Sequence, residues 1–111
     1  MTLRKYALIG CLLAPAFLAG QNADVENGKK LFLRDGCYEC HGYAGQGGAG
    51  ARLAPKVMST ESFIKYVRRP SGAMPPYTAK VASDKDLADI RAFLATMPEP
   101  RPLKDIPLLN Q

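Results

Sequence analysis

Apolar residues recur every three or four positions in three stretches of the 111-residue sequence, which is the spacing of one face of an α-helix. The first stretch begins at Asp24, whose carboxylate can accept hydrogen bonds from free N–H groups, and ends at Asp35, before a glycine. The second begins at Ser59, another capping residue, and ends at Arg69, before a proline. We therefore predict a helix over each stretch.

The third stretch, from Ser83 to Met97, is the most regular of the three. Ser83 and Asp86 have the spacing of a capping box, and Pro98 cannot continue the helix. The sequence contains neither the alternating pattern of a β-strand nor an internal repeat. The pattern predicts an all-α fold of three main helices with long connections.

The connections are rich in glycine and proline. Residues 42–50 contain a literal G-x-G-x-x-G, but no strand precedes it and Pro55 follows it, so the context of a dinucleotide site is missing. Glycine here allows the backbone to turn tightly and to pass close to a flat ligand. Residues 71–77 cannot be helical across Pro75 and Pro76.

The first twenty residues have the pattern of a secretory signal. A short basic start precedes an uncharged, mostly apolar stretch from Tyr6 to Ala19, which is shorter than the roughly 20 residues that span a bilayer. We assign residues 1–20 to a signal peptide cut near positions 20–23, with an uncleaved anchor as the alternative. Cys11 is an incidental residue of this stretch. Cleavage would leave the protein in the periplasm, with no stable membrane insertion.

The composition limits the classes of function that the protein can have. The net charge is +5, but the basic residues are scattered, so we predict no nucleic-acid partner. A single histidine excludes a catalytic site that needs two imidazoles. We predict one domain over residues 24–97 and a Pro-rich, extended tail over residues 98–111. A mature chain of about 90 residues buries only a thin core, and such domains commonly need a metal or a disulfide.

The most specific motif is Cys37-Tyr38-Glu39-Cys40-His41, which has the form C-x-x-C-H. Two thiols at this spacing can form thioether bonds to one porphyrin, and the adjacent histidine can bind its iron. Zinc would need a second ligand pair and a thiol redox site would need a βαβ setting, and the mature sequence offers neither. We predict one covalent haem c, attached at Cys37 and Cys40, with His41 as the proximal ligand.

Three methionines are candidates for the iron's second axial position. Met97 lies on the apolar face of the last helix, and Met58 lies beside the start of the second helix. Met74 lies in a segment stiffened by two prolines, which suits a strap across the opposite face of the ring. We predict Met74, with Met58 or an open site as alternatives.

Two further residues have predicted roles near the iron. The carbonyl of Pro55 can accept the hydrogen bond from Nδ1 that orients the ring of His41. Arg52 can bind a haem propionate, and an ordinary surface arginine is the alternative.

With these motifs the sequence resembles the class I mono-haem cytochromes c of bacteria. The matching features, which cover nearly the whole mature chain, are Gly28-x-x-x-Phe32, the C-x-x-C-H motif, the Gly-rich loop ending at Pro55, Gly72-Ala73-Met74-Pro75-Pro76-Tyr77, and Leu87-Ala88-Asp89-Ile90-Arg91-Ala92-Phe93-Leu94. The resemblance implies the cytochrome c fold wrapped around one haem, with the first and last helices crossing near Gly28 and Phe32 meeting Ile90 and Phe93. It also implies His41/Met74 ligation.

The resemblance further implies electron transfer between periplasmic redox partners, such as a dehydrogenase, an oxidase or a reductase, and not catalysis. A narrower alternative is a dedicated cytochrome subunit of a periplasmic dehydrogenase, because the apolar tail residues could lie along a partner. They could also pack on their own domain or be loose. A haem enzyme or gas sensor with an exchangeable sixth ligand is the remaining alternative. The apolar tail residues are Leu103, Ile106, Leu108 and Leu109.

Overall fold

Helices form where the hydrophobic pattern predicts them. The computed structural model describes residues 22–109, so the signal-peptide assignment lies outside the described part. Within residues 22–109 there are no strands, and the all-α prediction is confirmed. None of the helices in this part is long and apolar enough to cross a membrane. The helices are α1 (Val25–Arg34), α2 (Cys37–His41), α3 (Thr60–Arg68) and α4 (Asp84–Ala95), followed by single 3₁₀ turns at Leu103–Asp105 and Pro107–Leu109.

The predicted capping residues start all three main helices. The side chain of Asp24 accepts a hydrogen bond of 2.9 Å from the backbone N–H of Asn27, and Ser59 caps α3 in the same way. Ser83 and Asp86 form a reciprocal capping box, in which each side chain accepts from the other residue's backbone N–H. Caps of this kind contribute about 1 kcal/mol each, so residues close in sequence stabilise the start of each of these helices.

The fold is built on the crossing of α1 and α4. Gly28 is buried at the crossing, where an added Cβ would collide with the backbone carbonyl of Asp89. One turn further along, the rings of Phe32 and Phe93 pack with centroids 5.6 Å apart, and Ile90 belongs to the same buried cluster. The crossing implied by the family resemblance is therefore confirmed. The buried cluster comprises Leu31, Phe32, Ala54, Phe63, Val67, Ala82, Leu87, Ile90, Phe93 and Leu94.

A fully buried carboxylate, Asp89, joins the two crossing helices. Its oxygens accept hydrogen bonds from the backbone N–H of Asp24 (2.8 Å), from Nδ2 of Asn27 (2.8 Å) and from Nζ of Lys85 (2.7 Å). Burial opposes the charged form, but the hydrogen bonds from Lys85, Asn27 and Asp24 outweigh it and hold the pKa of Asp89 below its ordinary value. Asp89 therefore stabilises the crossing as an anion.

Asp89→Asn is expected to lower the free energy of unfolding by about 2 kcal/mol at neutral pH, because it removes charge-assisted hydrogen bonds. The folded-state pKa lies below the unfolded value of about 3.9, so the advantage of the wild type is complete above about pH 5. It shrinks as the pH falls through the folded-state pKa. Denaturant titrations of both proteins at neutral and acidic pH measure this difference. A gap that stays constant down to about pH 2 would show that Asp89 does not stabilise the fold as an anion.

Candidate functional site

A cavity of about 790 Å³ lies beside α2. Its volume is within the range of small-molecule and cofactor sites, about 300–1,000 Å³. Core residues such as Phe32, Leu87 and Ile90 contribute to its lining, so much of the surface that it offers is apolar. The residues with candidate chemistry that line it are Cys37, Cys40, His41, Arg52, Met58 and Met74.

The helix α2 presents the two cysteines and the histidine to this cavity. Gly36, at φ +73°, has the left-handed conformation that a glycine adopts without strain, and it separates α1 from α2. Residues three apart lie on the same face of a helix, so the single turn brings the Cys37 and Cys40 side chains to one side. The sequence pattern did not predict this helix, because five residues are too few to show a period.

The ring of His41 is oriented by a backbone carbonyl of the Gly-rich loop. Its Nδ1 lies 2.7 Å from the oxygen of Ala51. Since a carbonyl oxygen can only accept, Nδ1 is the protonated nitrogen, and Nε2 keeps its lone pair for a metal. A Cβ on Gly50 would lie only 2.9 Å from Cε1 of this ring, so glycine lets the loop pass directly against the histidine.

The prediction that Pro55 supplies this carbonyl is wrong. The loop folds back onto α2 earlier, through hydrogen bonds from the Gly50 N–H to the Cys40 carbonyl (2.7 Å) and from the Gly47 N–H to the His41 carbonyl (2.8 Å). The carbonyl that reaches the ring therefore belongs to Ala51, and the oxygen of Pro55 accepts from the N–H of Val57 (3.0 Å). Every residue has a carbonyl, so residue type carries no signal for this role.

The methionines differ in their access to the cavity. Met74 is half-buried, lines the cavity and packs against the core. Met58 also lines the cavity, but 46% of its surface is exposed. Met97 packs against the core and does not line the cavity. The structure thus brings Met74 and Met58 to the site, together with an exposed Arg52.

The electrostatics of Cys37 do not favour thiol chemistry. Burial, with a smaller effect of the nearby Asp35 carboxylate, raises the pKa of the Cys37 thiol to about 11. Reactive cysteines in redox enzymes have lowered pKa values, because the thiolate is the nucleophile. At neutral pH this thiol is protonated, which is the opposite of what a thiol–disulfide site requires.

The donor set fits a haem better than a metal ion held by the protein alone. Within residues 22–109, no group of three or more His, Cys, Asp and Glu side chains could hold a metal ion. A haem brings its own four nitrogen ligands and needs only axial donors and a dry pocket from the protein. An imidazole with a free Nε2, a thioether, two thiols and an apolar cavity meet those needs.

Comparison with known proteins identifies a family and a relative that this chain matches. The family model described as "Cytochrome C oxidase, cbb3-type, subunit III" matches residues 23–94. Cytochrome c-555 of Methylococcus capsulatus (strain Bath) is 29% identical over 90 residues, which cover 78% of this chain and 73% of that protein. No solved structure matches the chain. The segment matched by the family model includes both cysteines of the C-x-x-C-H motif, its histidine and Met74.

Proposed function

This chain belongs to the c-type cytochrome family described as cytochrome c oxidase, cbb3-type, subunit III, and on that premise we propose that its iron has His41 and Met74 as axial ligands. Family membership implies a covalently bound haem c, for which Cys37, Cys40 and His41 form the attachment motif, and a role in electron transfer. We further propose that the protein is exported and carries electrons between redox proteins of the periplasm.

One observation supports the axial ligation most strongly. His41, with its Nδ1 proton engaged by the Ala51 carbonyl, lines the same cavity as the half-buried thioether of Met74. The carbonyl fixes the tautomer in which Nε2 is the free donor, as is usual for histidines that bind metals. His41 and Met74 belong to segments that are far apart in sequence. Such segments can reach opposite faces of one haem ring.

When bound, the haem supplies one-electron chemistry at its iron. The protein's residues determine how that chemistry is used. Two retained axial side chains leave no position for a substrate, which favours electron transfer over catalysis. The thioether of Met74 and the apolar lining favour the reduced state and raise the potential.

The proposal predicts that the purified holoprotein titrates as a reversible one-electron couple, with a slope of about 59 mV per tenfold change in the ratio of oxidised to reduced protein. Optical spectra recorded in both directions of the titration should coincide, because neither ligand leaves the iron. Hysteresis between the two directions, or a five-coordinate spectrum in either state, would contradict retained His41/Met74 ligation.

A second candidate is a dedicated cytochrome subunit of a periplasmic dehydrogenase. Leu103, Leu108 and Leu109 in the tail are 72%, 80% and 61% exposed, which is unusual for three leucines within seven positions. An apolar segment of this kind is suited to lie along a partner protein. Recovery of the protein in a stable complex with a dehydrogenase would favour this candidate over a freely diffusing carrier.

A further inference from the structure

The segment that carries Met74 is anchored to two helices through Tyr77. The Tyr77 hydroxyl donates to the carbonyl of Asp35 (2.8 Å), and its backbone N–H donates to the carbonyl of Val67 (3.1 Å). Its own carbonyl accepts from Nη1 of Arg68 (2.8 Å). We propose that Tyr77 and Arg68 are positioning residues that hold the Met74 thioether on the iron. This inference rests on the proposed His41/Met74 ligation.

The sequence between Met74 and Tyr77 explains why the anchor lies there. Pro75 and Pro76 have no N–H, so Tyr77 is the first residue after the methionine whose backbone can donate a hydrogen bond. The proline rings also fix φ at Pro75 and Pro76, so the connection is stiff. The position of Tyr77 therefore constrains the position of Met74. A residue that is held by three hydrogen bonds thus determines where the thioether lies.

The bond from the Tyr77 hydroxyl links the methionine segment to the attachment motif. Its acceptor, Asp35, is the C-cap of α1 and lies two residues before Cys37. Asp35, Cys37, Met74 and Tyr77 all line the same cavity. The hydroxyl therefore ties the segment that carries the proposed distal ligand to the start of the helix that carries the proposed proximal one.

Arg68 supports the same anchor from α3. One guanidinium nitrogen donates to the Tyr77 carbonyl, and the other donates to Oδ1 of Asp84 at 2.6 Å. Asp84 is largely exposed, so its ion pair adds little, whereas the bond to Tyr77 is charge-assisted and part-buried. The planar guanidinium can serve both acceptors at once because its donors have a fixed geometry.

Displacement of Met74 by imidazole in the ferric holoprotein tests the inference. Added imidazole binds the iron only when the thioether has left, so its apparent affinity reports the fraction of protein in which Met74 is detached. Loss of one such hydrogen bond changes an equilibrium constant by about tenfold. Tyr77→Phe and Arg68→Met should therefore each bind imidazole about tenfold more tightly than the wild type, as measured by optical titration.

Four variants serve as references. Met74→Ala gives the affinity of the site without the thioether. Tyr43→Phe removes an exposed hydroxyl, and Asp84→Asn removes the negative charge from the other partner of Arg68. Asp89→Asn destabilises the α1–α4 crossing, whose contacts lie outside the Met74 segment. The last three should match the wild type in imidazole affinity, so a tighter value in Tyr77→Phe cannot be ascribed to lower global stability.

The outcomes separate this inference from the proposed ligation. If Met74→Ala binds imidazole much more tightly than the wild type but Tyr77→Phe and Arg68→Met do not, Met74 is the ligand and the anchor is refuted. If Met74→Ala binds no more tightly than the wild type, the ligation itself fails. Equal tightening in Asp89→Asn would show a general effect of stability and would also refute a positioning role.

Discussion

Met74→Ala is expected to abolish the sulfur-to-iron charge-transfer band of the ferric protein and to lower its midpoint potential by on the order of 0.1 V or more. Axial ligands set haem potentials over a range of about 0.8 V, and a thioether favours the reduced state. The haem should stay attached, because Cys37 and Cys40 are unchanged. Optical spectroscopy and a redox titration of the purified variant measure both effects.

The other methionines provide matched controls for this change. Met58→Ala alters a thioether that lines the same cavity, and Met97→Ala alters one that packs on the core outside it. Both variants should keep the charge-transfer band. If Met58→Ala loses the band and Met74→Ala keeps it, the assignment of the axial ligand must be exchanged between these residues.

Gly28→Ala is expected to lower the free energy of unfolding by about 3 kcal/mol or more, at the upper end of the usual cost of overpacking. The added Cβ would collide with the backbone carbonyl of Asp89 at the α1–α4 crossing. A flexible side chain could move aside, but here the obstacle is the backbone of α4, a helix with residues buried in the core. Denaturant unfolding of the two proteins measures the loss.

An exposed position on the same helix controls for the introduction of alanine. Lys30 is exposed, so Lys30→Ala should change the stability by no more than about 0.5 kcal/mol. Alanine in place of glycine stabilises an unobstructed helix by about 0.5–1 kcal/mol. A gain in stability for Gly28→Ala would therefore mean that α1 and α4 do not approach closely at this residue.

The parts of the fold that could be predicted from the sequence depend on local signals. Asp24, Ser59 and Ser83 cap helices through backbone groups a few residues away, so each start is encoded nearby. The C-x-x-C-H motif is local in the same sense, because a porphyrin requires that spacing. The crossing at Gly28 was implied by the family resemblance and not by the period of either helix.

The parts that could not be predicted depend on how distant segments meet. Asp89 has the sequence context of a surface residue on a charged helix, and its bonds to the N–H of Asp24 and the side chain of Asn27, 65 and 62 positions away, show why it is buried. The choice of Ala51 over Pro55 depends on the path of a loop in which glycine permits many turns. The hydrogen bond of the Tyr77 hydroxyl was not predicted, because its acceptor, the Asp35 carbonyl, has no sequence signature.

We propose that His41 and Met74 fill both axial positions of the iron and make this cytochrome an electron carrier. The most direct test is the addition of carbon monoxide to the reduced holoprotein, because carbon monoxide binds ferrous haem with an open position. The spectrum of the wild type should not change at saturating gas, whereas that of Met74→Ala should shift. Carbon monoxide binding to the wild type as readily as to the variant would contradict retained His41/Met74 ligation and indicate an exchangeable sixth site.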